Sequence, residues 1–231
     1  MLLRELLQTE TDRDKQQKIG PSTAGSPCEA CVVEALEGVK RPQGRYWLGG
    51  RVGTSIHMYI ESRVELFMRD YTVPEKSIDV FNIEGYGTVR GTPDLIVHPN
   101  NGEFFPTDTV TLFDWKTTST EKMPFLRRAL SLPATGGEPK ALRSARFNLE
   151  AYVNQGLLYA YGCHAADVPV GEIRIQFVSR GGKTDADFLE VVFDYNAERA
   201  QKLVDRVQSL YDGIERGDVP DRHDDCFVHG V

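Results

Sequence analysis

Asp114, Trp115 and Lys116 place an acid and a base two residues apart at the end of an apolar run, Val110–Ser119, which reads VTLFDWKTTS. Val110, Leu112 and Phe113 have the β-favouring character of a core strand. The period of two then puts the Asp114 and Lys116 side chains on one face. Such a pair can hold a divalent cation beside a cationic side chain, or it can be a plain ion pair worth under ~1 kcal/mol. Asp94 lies in a second apolar run, between Thr92-Pro93 and Leu95-Ile96-Val97. A carboxylate there needs a cation, a donor or solvent, unless it merely caps a turn. His57 follows Gly53-Thr54 on a helical stretch, where a histidine can be packed, solvent-facing or a ligand. Tyr152, Gln155 and Tyr159, at i, i+3 and i+7, share one helix face. An aromatic stripe suits a core, but the Gln within it is harder to place there.

These residues need elements to position them. Residues 2–18 read as a charged amphipathic helix, Ile19–Pro27 as a Gly/Pro/Ser loop, and Cys28 to about Val39 as a short helix. Arg41–Gly50 reads as a loop, and Val52, Ile56, Ile60, Val64 and Phe67 mark a helical stripe ending near Met68. Strands are expected at Ile78–Ile83 and Thr88–Val97, joined by the turn Glu84-Gly85-Tyr86-Gly87. Thr109–Thr117 is the third strand. Residues 120–146 lack clear periodicity and read as a long loop with some helix. Phe147–Gly162 is a helix ended by its glycine. Two strands, Glu172–Ser179 and Phe188–Phe193, flank the Gly181-Gly182 turn, and Asn196–Arg216 is a last helix before an acidic tail. This order predicts an α/β fold, with helices on both faces of one sheet.

The 231 residues are 40% hydrophobic and 26% charged, an ordinary globular composition. No run approaches the ~20 apolar residues of a membrane span, and the start does not resemble a signal peptide, so a cytoplasmic location is expected. Four cysteines in that compartment do not suggest a disulfide framework. The net charge of −7 argues against a protein that coats nucleic acid with its whole surface. A local basic patch remains compatible: residues 120–146 hold Lys122, Arg127, Arg128, Lys140, Arg143 and Arg146 against Glu121 and Glu138. That set can track phosphates or simply solvate a loop.

The series Gly53-Thr54-x-x-His57, Gly91-x-x-Asp94, Asp114-x-Lys116 and Gln155-x-x-x-Tyr159 resembles the motifs of the RecB-type PD-(D/E)XK nucleases. It is most similar to the small CRISPR-associated and phage-encoded exonucleases of that group. The resemblance runs from about Gly20 to the C-terminus. It implies a restriction-endonuclease-like core, a central mixed sheet flanked by helices, over residues 50–195 of a single nuclease domain, with 120–146 as a basic insertion. It also implies a metal-dependent DNA exonuclease of recombination, repair or phage DNA processing. In that reading His57, Asp94 and Asp114, with the Trp115 carbonyl, bind Mg²⁺ or Mn²⁺. Lys116 positions or activates the attacking water, and Gln155 and Tyr159 contact the DNA backbone or orient the site. Lys122, Arg127, Arg128, Lys140, Arg143 and Arg146 then follow the DNA. Helicase, annealing or CRISPR-adaptation partners fit the same resemblance. A nuclease-fold binding subunit and an endonuclease are the alternatives.

Many of these relatives carry an iron–sulfur cluster held by one cysteine before the histidine motif and three near the C-terminus. Here Cys28-x-x-Cys31 precedes the motif, and the end of the chain has Cys226-x-x-His229 instead. That spacing suits a tetrahedral Cys₃His zinc site joining residues 20–40 to 217–231. His223 and Cys163 are competing ligands, Cys163 being the natural recruit for a [4Fe-4S] cluster. Four free thiols are the remaining alternative.

Overall fold

The computed structural model describes residues 18–39, 47–74, 76–100, 108–226 and 228–229. The expected N-terminal helix therefore lies almost wholly outside the described residues, as do positions 41–46 of the expected loop. Along the chain come helices α1 (Pro21–Ala24), α2 (Glu29–Leu36) and α3 (Trp47–Met68), then strands β1 (Thr72–Pro74), β2 (Ile78–Ile83), β3 (Gly87–Gly91), β4 (Leu95–Val97) and β5 (Val110–Thr118). Helices α4 (Met123–Ser131) and α5 (Lys140–Ala165), strands β6 (Val170–Ser179) and β7 (Phe188–Asp194), and helix α6 (Ala197–Arg216) complete it.

Five strands form a mixed sheet in the order β1-β4-β5-β6-β7, and β2 and β3 form a separate ribbon. The central strand β5 runs antiparallel to β4 and parallel to β6. Its alternation divides the core. Leu112 faces Leu157, Leu158 and Ile173 on the side of α5 and α6. Phe113 and Trp115 face Val64 and Met68 of α3. The sheet is thus flanked by helices on both faces, as the α/β expectation requires. Helix α6 shows why such elements form: Ala200, Leu203, Val204 and Val207 make its buried stripe, and Asn196 caps it by accepting from the Arg199 N–H at 2.8 Å. No helix among the described residues is long and apolar enough to cross a membrane.

Several boundaries differ from expectation. Pro21–Ala24 is a short helix within the expected loop, and α3 begins at Trp47, five residues before Val52. The strand expected over Thr88–Val97 is two strands in different sheets, broken at Thr92–Asp94 where Pro93 has no N–H to donate. The three-residue β1 was not expected at all, being too short to show a period. Helix α5 starts at Lys140 and runs through Gly162. That glycine is inside the helix and serves a close approach: a Cβ there would lie 2.7 Å from Val80 Cα, so its absence lets α5 lie against β2.

Candidate active site

Strand β4 begins at Leu95, opposite Phe113. Beyond that pair the edge of β5 is open on this side, and Asp94, the residue just before β4, comes level with the Asp114–Lys116 segment. Asp94 Oδ2 accepts a hydrogen bond from the Trp115 backbone N–H at 2.6 Å, a donor that no β4 residue pairs with. Its other oxygen lies 3.3 Å from His57 Nδ1 on α3. The Trp115 and His57 rings meet edge to face with centroids 6.0 Å apart. Asp114 and Lys116 share the opposite face as their spacing predicts, with Lys116 Nζ 2.6 Å from Asp114 Oδ2 and 5.1 Å from the Tyr152 ring centroid.

Two motif glycines permit the close approaches behind this cluster. A Cβ at Gly53 would lie 2.8 Å from Thr117 Oγ1, so the start of α3 rests on the end of β5. A Cβ at Gly91 would lie 2.6 Å from both Pro21 Cγ and Tyr159 Cε1, so the strand leading to Asp94 is gripped between α1 and α5.

Burial governs the electrostatics. Asp114 is 2% exposed, and desolvation lifts its pKa to about 6 against the pull of Lys116. Burial also opposes the Lys116 charge, but Asp114 outweighs it and the ammonium pKa rises. His57 is raised chiefly by its hydrogen bond to Asp94, with burial working the other way. Asp114 Oδ2 is buried, and its polar contact is the Lys116 ammonium at 2.6 Å. Two carboxylates and an imidazole, with the Lys116 ammonium beside them, fit a divalent cation.

Gln155 and Tyr159 are each 6% exposed, and Gln155 Nε2 donates to Tyr159 Oη at 3.3 Å. Burial pushes the Tyr159 hydroxyl up to about 12. Both side chains are buried where α5 packs on the sheet, Tyr159 within the main core. Tyr152, read from sequence only as part of an aromatic stripe, forms the wall beside Lys116.

The six basic residues do not form one free patch. The Arg146 guanidinium holds the Glu138 carboxylate by two bonds, 2.9 and 3.0 Å, and donates to the carbonyls of Ala129 and Pro133. It pins the 132–139 segment between α4 and α5. Arg143 pairs with Asp225 at 3.0 Å, and Arg127 donates to the carbonyls of Ala186 and Phe188. Lys122, Arg128 and Lys140 are exposed along the same stretch.

A second cluster joins the two ends of the chain. The ligand atoms of Cys28, Cys31, Cys226 and His229 all lie within 4.8 Å of one another, a Cys₃His group able to bind a structural metal. His229 Nδ1 is 3.3 Å from Cys28 Sγ and 3.4 Å from Cys31 Sγ. His229 Nε2 lies 2.6 Å from Glu34 Oε1, a partner that would keep the proton on Nε2 and leave the Nδ1 lone pair facing the sulfurs. Burial raises the Cys226 thiol, but the backbone N–H groups of His229 and Val228 and the neighbouring thiols outweigh it, and the net shift is downward. Neither competing ligand belongs to that group, although His223 is close beside it. The His223 ring packs on Phe147, and its Nδ1 accepts from the Asp225 N–H. Cys163 is buried in the main core, where desolvation lifts its pKa to about 11. Glu34 escaped the sequence reading, although its i+3 spacing from Cys31 on α2 was the available signal.

An acid–x–lysine strand in a mixed sheet, met at its open edge by an acid from the preceding turn and a histidine from the first long helix, is the architecture of the restriction-endonuclease-like fold. The chain resembles the RecB-type PD-(D/E)XK nucleases in this fold. It is similar to the alkaline exonuclease LHK-Exo from Laribacter hongkongensis, solved in complex with dAMP, with a TM-score of 0.54 at 15% identity over 90% of this chain and 94% of that one. It is similar also to a candidate exonuclease from Eubacterium rectale, with a TM-score of 0.50 at 14% identity over 99% and 92% of the two chains. No protein-family profile and no curated sequence matches the chain.

Proposed function

We propose that this protein is a metal-dependent DNA exonuclease. The observation that supports it best is the convergence of His57, Asp94, Asp114 and Lys116, from three separate elements, on the open edge of β5. In this reading His57, Asp94 and Asp114, with the Trp115 carbonyl, hold Mg²⁺ or Mn²⁺. Such an ion supplies Lewis acidity toward a phosphodiester and a supply of hydroxide near neutral pH. Lys116, kept protonated by Asp114, orients the nucleophile and offsets charge building on the phosphate. Tyr152 walls off its ammonium, and Gln155 and Tyr159 hold α5 against the site. Lys122, Arg128 and Lys140, exposed on the surface, are the side chains read as following the phosphates. The similar fold of LHK-Exo, whose solved complex holds dAMP, favours DNA as the substrate.

The test is end-labelled linear DNA, single- and double-stranded, beside closed circles, each with Mg²⁺, Mn²⁺ or EDTA. Linear DNA is degraded only with metal, circles persist, and Asp114→Asn is inactive. Efficient opening of closed circles would point to an endonuclease, and full activity in Asp114→Asn would remove the proposed site.

The Cys₃His group is read as a zinc site, because one neutral imidazole and three thiolates in tetrahedral reach suit Zn²⁺. Such a site can contribute on the order of 10 kcal/mol to local folding. Elemental analysis of protein purified without oxygen separates the cases: one zinc per chain supports it, whereas iron with acid-labile sulfide would mean a cluster.

A further inference from the structure

Trp115 is the residue on which three of the proposed metal-holding groups depend. Its backbone N–H fixes Asp94, its ring meets the His57 ring at right angles, and its own carbonyl is the third. An indole in a buried strand carries an N–H that must find an acceptor, and Trp115 is 3% exposed. The acceptor is Gln176 Oε1 at 2.9 Å, on the adjacent strand and directly across in register. Gln176 is 5% exposed, so its amide needs partners of its own. Its Nε2 donates to Glu190 Oε1 at 2.7 Å, and Glu190 is again its directly opposed neighbour, on β7. Arg174 approaches the other Glu190 oxygen at 3.5 Å and reaches Glu172 at 2.6 Å. A single row of side chains thus crosses β5, β6 and β7 from the site to the sheet edge.

We propose that Gln176 and Glu190 are positioning residues: they clamp the Trp115 indole and thereby hold the His57 ring that meets it in the geometry that binds the catalytic cation. The inference rests on the exonuclease reading. An apolar strand has no need of a Gln facing a Trp N–H, since Phe opposite Leu would pack the same volume without a buried polar pair. The β5–β6–β7 ladder already sets the backbone, so the extra bonds restrict the ring and not the sheet. They work in the manner of the outer partners of metal ligands, whose loss typically lowers metal affinity 10–100-fold.

The test is Mn²⁺ binding to DNA-free protein, measured by titration calorimetry, in the wild type and in Asp114→Asn, Gln176→Leu, Glu190→Ala and Glu190→Gln. Nuclease kinetics are run in parallel across a range of metal concentrations. Gln176→Leu should weaken the Asp114-dependent Mn²⁺ site about tenfold. Glu190→Ala should do so severalfold, and Glu190→Gln, which keeps an acceptor for Gln176, should stay within about twofold. The lost rate should return with excess Mn²⁺ while KM for DNA stays level, which a smaller folded fraction would not produce. Glu190 is partly exposed, so its variants report even where Gln176→Leu folds poorly. Unchanged Mn²⁺ affinity in Glu190→Ala and in folded Gln176→Leu would overturn the clamp and leave the exonuclease reading standing. A wild type that neither binds Mn²⁺ through Asp114 nor cuts DNA would overturn both.

Discussion

Gly91→Ala adds one methyl group and should disable the site without replacing any of the proposed metal-holding groups or Lys116. The new Cβ would sit 2.6 Å from Pro21 Cγ and 2.6 Å from Tyr159 Cε1, where ordinary contacts are 3.4–4 Å. About 1 Å must be found on two sides at once, and neither neighbour is the end of a flexible chain. Pro21 is a ring at the start of α1, and Tyr159 is a buried ring on α5. Overpacking of this kind costs typically ~1–3 kcal/mol. At roughly 3 °C per kcal/mol for a chain of this size, a 2 kcal/mol loss lowers Tm by about 6 °C. The strand can also yield by moving away. Only Thr92 and Pro93 separate Gly91 from Asp94, so that shift reaches the carboxylate, and ~1 Å at such a group can cost on the order of 10² in rate. Calorimetric Tm and cleavage of end-labelled DNA measure the two effects. Gly136→Ala, where a Cβ meets nothing within 4 Å, is the matched control. Pro21→Ala in the Gly91→Ala background relieves one of the two clashes and should restore part of both losses. Wild-type melting and cleavage in Gly91→Ala would refute the close-approach explanation.

Lys116→Ala should lower the cleavage rate on the order of 10²–10³-fold at saturating metal, as for loss of one preorganised electrostatic contact; a loss under threefold would remove Lys116 from the mechanism. Asp114 is raised to about 6 by burial, so its carboxyl is neutral below that pH. Activity should therefore fall as pH drops through about 6, and the midpoint should move lower as Mg²⁺ rises, because a cation favours the ionised form. A midpoint indifferent to metal concentration would contradict that assignment. Neutralising Lys122 and Arg128 together should flatten the salt dependence of DNA binding by about one to two units, while Arg146→Ala should lower Tm and leave the slope nearly unchanged. Cys226→Ser should abolish stoichiometric metal and lower Tm; an unchanged Tm would return the four residues to unliganded thiols and an imidazole.

Local chemistry in the sequence was enough for what depends on short repeats. The strand period placed Asp114 and Lys116 on one face, and helical spacing found α3. Two ligand pairs of three-residue span marked both ends of the Cys₃His group. Position along the chain could not decide which groups meet across it. Thr88–Val97 reads as one strand with Pro93 inside it, yet it serves two sheets, and a three-residue β4 is what brings Asp94 beside Trp115. Arg146 has the same composition signal as Arg128, but Glu138 and three-dimensional closure of the 132–139 segment consume its donors. Gln155 and Tyr159 share a face in any helix; only the packing of α5 on the sheet buries that face. His223 and His229 are equally plausible by type, and what separates them is Phe147 against one and Glu34 against the other. Helix and strand periods arise within a few residues of backbone, whereas burial and partner choice arise from contacts between segments as much as 201 residues apart, such as Cys28 and His229. Those contacts exist only once the whole core has closed.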